Sequence, residues 1–164
     1  MNEILRLQHE SSDSPHTDAT WSLLSESAIN SIAQYDAYRL EIELEGLAPQ
    51  IREKIMEPLY SMRRLLSSWE HLVRRMESDW KLPGQYPISA YINDLDSRSR
   101  LQIAMATLND EAQAALSPLL AELDNRFLHE SVPDESGELR PWLKPSSGEE
   151  PQGFWLRKPH RHPW

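Results

Sequence analysis

The densest group of chemically capable side chains lies at Tyr91, Asn93, Asp94, Asp96, Arg98 and Arg100. Carboxylates, guanidinium groups, an amide and a phenol this close together could hold a small polar ligand. The same composition also suits a helix cap followed by a solvated turn. A second group is the row Arg52, Arg63 and Arg74, with Arg64 and Arg75 beside it. Its spacing of eleven is about three helical turns, so the row would lie along one edge of a helix. Such a strip could bind phosphate or an acidic partner. Internal pairing with Glu41, Glu43 and Glu45, or with Glu70 one turn before Arg74, is the expectation in a chain of net charge −9. A third group is an echo: Leu95-Asp96-Ser97-Arg98 and Leu123-Asp124-Asn125-Arg126 share the form Leu-Asp-x-Arg. If their two helices pack side by side, Asp96 would meet Arg126 and Asp124 would meet Arg98. Ion pairs of that kind fix register. Chance similarity and a ligand site are the other two readings.

Other chemistries find little support. His160 and His162 could touch one metal from an extended chain, but no third ligand is nearby in sequence. The body holds only His71 and His129, and no Glu-x-x-His pattern. The five glycines stand apart, so none forms a phosphate cradle or a Gly-x-Ser-x-Gly elbow. The chain has no cysteine, which excludes disulfides, thiolate ligands and thiol nucleophiles. Carboxylates are plentiful, yet nothing singles out a working pair. No cofactor and no metal are expected. The balance favours a non-catalytic protein, although catalytic constellations are spatial and need no local motif.

Charge and hydropathy narrow the partners. A net charge of −9 repels phosphate, so general nucleic-acid binding is not expected. No run of about 18 apolar residues exists to span a membrane. No apolar core of signal-peptide length follows the N-terminus. These features make a cytoplasmic location the expectation. The charge is unevenly spread, with residues 151–164 carrying Arg157, Lys158 and Arg161 and no acid.

The elements that must position these residues are helical. Ile51, Ile55, Leu59, Met62, Leu65, Leu66, Trp69, Leu72, Val73, Met76 and Trp80 recur at intervals of three and four. That spacing predicts a long central helix over 49–80 with one broad apolar stripe. Pro58 lies within it. The proline either kinks the helix or separates a short helix over 50–57 from a main one beginning at Pro58. An earlier helix is expected over 21–45, capped by Thr20 or Ser22 and ended by Gly46. Within it, Leu40-Glu41-Ile42-Glu43-Leu44-Glu45 alternates as an edge strand would. Helix is still preferred there, because no other stretch offers a strand partner. Residues 88–96 read as irregular or loosely helical. Helices follow over 97–108 and from Asn109 to about 131, the latter capped by Asn109 and interrupted or kinked at Pro118.

The expected fold is all-α. A single bundle of four to five helices over 20–131 surrounds the central helix. A flexible acidic arm over 1–19 precedes it, and an extended arm rich in Pro and Trp follows over 132–164. That last arm has no helical or strand period, yet Trp142, Leu143, Phe154, Trp155 and Trp164 look like docking anchors. Self-docking, with the basic arm wrapping the acidic body and its rings filling grooves between helices, is the preferred outcome. The leading function is protein–protein binding, of the immunity-protein, antitoxin or adaptor kind, with a basic partner. Trp142, Trp155, Arg157, Arg161, Trp164, Asp94 and Asp96 are the candidate contacts. A subunit of a homo-oligomer, or a small-ligand protein or enzyme with an inter-helical site, are the alternatives.

Overall fold

A computed structural model describes residues 13–81, 85–143 and 153–164. It is all-α, apart from one two-stranded sheet. The helices are α1 (Pro15–Ser22), α2 (Glu26–Leu44), α3 (Pro49–Arg52), α4 (Met62–Glu77), α5 (Ile88–Met105) and α6 (Asp110–Glu130). The strands β1 (Ser131–Pro133) and β2 (Arg157–Pro159) pair antiparallel, with Val132 opposite Lys158.

The core is built on α4. Leu65, Leu66, Trp69, Leu72, Val73 and Met76 are buried along one stripe, as the period of the sequence predicts. Helices α5 and α6 both pack on this stripe and make little direct backbone contact with each other, while α2 rests mainly on α6. Trp69 sits at the centre, with its ring 4.7 Å from that of Phe127 on α6. Burying each such large apolar side chain contributes roughly 1.5–3 kcal/mol relative to exposure.

The central helix is shorter than the stripe suggests. Pro58 neither kinks it nor starts it, but lies buried in a loop between α3 and α4. Two acids of α2 hold that loop out of helical geometry. Glu43 accepts from the backbone N–H groups of Leu59 and Tyr60, and Asp36 accepts from Met62 N–H. Helix α4 then starts on Ser61, whose hydroxyl accepts from Arg64 N–H at 3.3 Å. It ends in a left-handed turn normally given to glycine. Asp79 and Trp80 have φ of 54° and 62°, and their N–H groups close back on Met76 and Arg75 carbonyls.

Three other expectations change. The first helix of the described residues begins at Pro15, inside the stretch expected to be a flexible arm; residues 1–12 lie outside the described residues. Helix α1 ends at Ser22, and α2 restarts on Ser25, which accepts from Ala28 N–H. The start of α1 is fixed by Glu70 of α4, whose fully buried carboxylate accepts from the N–H groups of His16 and Thr17, from the Thr17 hydroxyl and from the His16 ring. It caps the first turn of α1 from another helix. Burial pushes this carboxyl up, but the four hydrogen bonds more than offset that and hold it below its ordinary value. Residues 88–96 are regular helix rather than irregular, because Tyr91, Leu95 and Arg98 recur at helical spacing and bury against the core. Helix α6 starts on Asn109, as expected, and runs through Pro118 without a break. The segment Leu40–Glu45 is helical to Leu44, not a strand, and Gly46 follows with φ of 78°.

Candidate functional site

The C-terminal segment is seated on the body along a groove between α5 and α6. The groove has a polar keystone. Arg98 of α5 makes a two-pronged pair with Asp124 of α6, both N···O distances being 2.8 Å, and Trp69 donates its indole N–H to the same carboxylate. The Leu-Asp-x-Arg echo is therefore half reciprocal. Its other half does not form: Arg126 pairs with Glu77 at 2.7 Å through both nitrogens, and Asp96 pairs with Arg100 one turn along α5.

Above the keystone sits Phe154. Its ring is 5.5 Å from Trp69 and 5.3 Å from Phe127, with the Arg98 guanidinium 5.0 Å over its face. Trp155 is buried and donates to the Ser99 hydroxyl at 2.8 Å. Beyond the rings the chain runs extended. Tyr91 donates to the Arg157 carbonyl at 2.6 Å, and Trp80 donates to the Arg161 carbonyl at 2.6 Å. Arg157 reaches the Ser131 hydroxyl and carbonyl, both at 2.8 Å. Lys158 meets Glu138 at 3.0 Å and Asp134 at 3.7 Å, and Arg161 meets Asp79 at 3.1 Å. Trp164 packs its ring on Tyr91 at 5.6 Å and on Trp80 at 6.4 Å. The Lys158 ammonium holds the Glu138 carboxyl below its ordinary value.

Of the residues expected to meet a partner, Trp155, Arg157, Arg161 and Trp164 thus contact the body itself. Trp142 lies apart from them in a short 3-10 turn over Arg140–Trp142 and is half exposed. Asp94 and Asp96 share a different place, a cleft of about 280 Å³ between α4, α5 and the loop before α4, lined also by Tyr60, Arg64 and Asn93. Burial pushes the Asp94 carboxyl up to about 7, against the lowering effects of the Tyr86 hydroxyl bonded to it and of Arg75. The charges around it are paired: Asp96 with Arg100, and Arg64 with Glu57 at 3.5 Å. Among the described residues no three His, Asp or Glu side chains converge in a way that could hold a metal ion. The arginine row also pairs within the chain, though not with the expected acids. Arg63 meets Asp18, Arg74 donates to the Asp13 carbonyl, and Arg52 donates to the Leu44 carbonyl.

A second surface was not legible in the motifs. From Ala33 to Glu57 no residue is buried, although most of the stretch is helical. Five of the twelve exposed large apolar side chains of the described residues lie on 38–59: Tyr38, Ile42, Ile51, Met56 and Leu59. Met56 is 81% exposed. This lobe is tied to the bundle by polar clamps instead of a core: Asp36 and Glu43 on the loop N–H groups, and the Arg39 and Arg100 guanidinium groups over the Tyr60 ring at 5.2 and 4.0 Å. Residues 36–59 carry six acids and three bases, so the apolar side chains sit in an acidic setting. The signal for it was the alternation over Leu40–Glu45. On a helix, alternation scatters apolar residues around the axis, and no single neighbour can cover them.

No described helix is long and apolar enough to cross a bilayer. No protein-family model, curated protein or solved structure matches the chain.

Proposed function

We propose that the protein acts without catalysis, by binding a basic partner protein through the lobe at 38–59. The single observation that carries this is the set of five large apolar side chains left exposed on α2, α3 and the loop after α3, over a stretch in which Pro58 alone is buried. Exposed apolar groups confer nothing on the isolated fold, and clusters of them mark interaction surfaces. The acids around them, Glu41, Glu45, Glu53 and Glu57, would steer a basic partner and repel an identical copy. An immunity-protein, antitoxin or adaptor role fits this chemistry, and a cytoplasmic location fits an acidic chain without cysteine.

The test is a triple variant, I51S/M56S/L59S. Partner capture by the wild type should weaken as salt rises from low to high concentration and should be lost in the variant, which keeps its helical circular dichroism. Capture indifferent to both salt and the variant would overturn the proposal. Light scattering of the wild type separates this from a homo-oligomer, which would run above monomer mass. One feature favours a second reading, a small-ligand site in the cleft of about 280 Å³ at Asp94, where burial pushes the carboxyl up to about 7. A ligand there would shift its titration, and D94N would abolish that shift.

A further inference from the structure

The segment at 153–164 is held in the way a bound peptide is held, and not merely as a covering loop. Three kinds of recognition meet on it. Its aromatic pair fills a built seat, with Phe154 against Trp69, Phe127 and Arg98, and Trp155 bonded to Ser99. Its main chain is read by side chains: Tyr91 donates to one carbonyl and Trp80 to another four residues on, while β1 supplies the edge for β2. Its basic side chains face acids outside the segment, Lys158 facing Asp134 and Glu138 in the chain just after β1, and Arg161 facing Asp79 at the end of α4. The segment itself carries no acid.

The seat is also shaped for this use. Trp80 is presented by two consecutive left-handed residues, Asp79 and Trp80, a conformation that disfavours side chains. That turn points the indole donor at Arg161 and brings the Asp79 carboxylate to the same arginine. The Arg98–Asp124 pair links α5 to α6, and the Phe154 ring lies against its guanidinium.

We infer that the groove formed by α4, α5, α6 and β1 is a peptide-recognition site, and that residues 153–164 are its resident, exchangeable ligand. The ligand class is an extended peptide of a partner protein that leads with two aromatic residues and continues with Arg or Lys and no acid. Charge complementarity and the occupant already seated argue for that class. The resident segment competes at a high effective concentration because it is tethered, so an outside peptide binds well only when the resident one is loosened. This site is separate from the lobe at 38–59, and neither reading depends on the other.

The test uses the full-length chain and a fluorescein-labelled synthetic peptide with the sequence of residues 153–164. Two variants loosen the resident segment by different routes. F154S/W155S empties the aromatic seat, and R157E/R161E reverses the charges while keeping the rings. The peptide should bind each variant that keeps native helical circular dichroism at least ten-fold more tightly than it binds the wild type. Binding should weaken with salt, and a control peptide with both leading aromatics changed to serine should bind at least ten-fold more weakly. Three results would overturn the inference. One is a natively helical variant that binds the peptide no better than the wild type does. Another is equal binding of the control peptide, which would show adsorption of a basic peptide to an acidic surface. The third is a concentration-dependent wild-type dimer with exchanged segments, which would make a second copy the occupant. Should F154S/W155S lose its helices, R157E/R161E alone decides between these outcomes.

Discussion

Two ends of this molecule handle charge and oil in opposite ways. Around Trp69 the apolar groups are buried, and the polar groups among them are paired: Arg98 with Asp124, Glu70 with the first turn of α1, Ser99 with Trp155. In the lobe from Ala33 to Glu57 no residue is fully buried, and acids of α2 bond the backbone of the loop that follows. One end is therefore arranged for stability, and the other leaves its apolar side chains to water. The second half of α2 adds no buried residue to the fold, and the proposed binding surface begins there.

The comparison predicts a steep gradient in mutational cost. Arg98→Ala should cost most, about 3 kcal/mol in urea unfolding, because it takes the two-pronged pair from the part-buried Asp124 carboxylate and leaves it the Trp69 indole N–H. A cost below about 1 kcal/mol would show that the keystone is not structural. Glu70→Ala should cost about 2–3 kcal/mol, since two backbone N–H groups of α1 lose their acceptor. The pH dependence of Glu70 follows from its depressed folded-state value. Its contribution is present above the ordinary carboxylate range and disappears as pH falls through the folded value. The gap between wild type and E70A should therefore close in acid.

Asp94 runs the other way. Its folded-state value is raised from 3.8 to about 7, so the folded protein holds a proton that the unfolded chain has released. Stability is lost as pH climbs between those values. Asp94→Asn keeps an acceptor for Tyr86 and should stabilise by about 1–3 kcal/mol at pH 8, with no gain at pH 4. Equal effects at both pH values would remove burial as the cause. The smallest effects belong to the lobe. Ile51→Ser or Met56→Ser should change unfolding free energy by less than about 0.5 kcal/mol. A loss above about 1.5 kcal/mol would mean that the lobe packs more closely than its exposure indicates.

Much of the core was readable from residue order, because a period of 3.6 survives whatever partners cover it. Leu65, Leu66, Trp69, Leu72, Val73 and Met76 face inward as their spacing requires. Asn109 and Gly46 mark helix ends through local chemistry alone. Pairings across helices were only partly readable. The repeated Leu-Asp-x-Arg correctly joined Arg98 to Asp124, but it wrongly joined Asp96 to Arg126, because each found a nearer partner. Nothing local announced that Glu70 would cap α1. Its partners lie 53 and 54 residues earlier, in a stretch whose composition reads as unstructured.

Residue order by itself determined the helical class, the inward stripe of α4, the acidic body and the basic, aromatic C-terminal segment. These follow from periodicity, capping chemistry and charge, each of which acts within a few residues. Tertiary structure decided where α4 begins, that residues 15–22 are helix, that the aromatic rings of 153–164 lie on their own body, and that the end of α2 stands uncovered. Each of those depends on a group far away in the chain: Glu43 on Leu59, Glu70 on Thr17, Ser99 on Trp155. A local pattern says which side chains need partners, but only the folded chain brings particular partners within hydrogen-bonding distance.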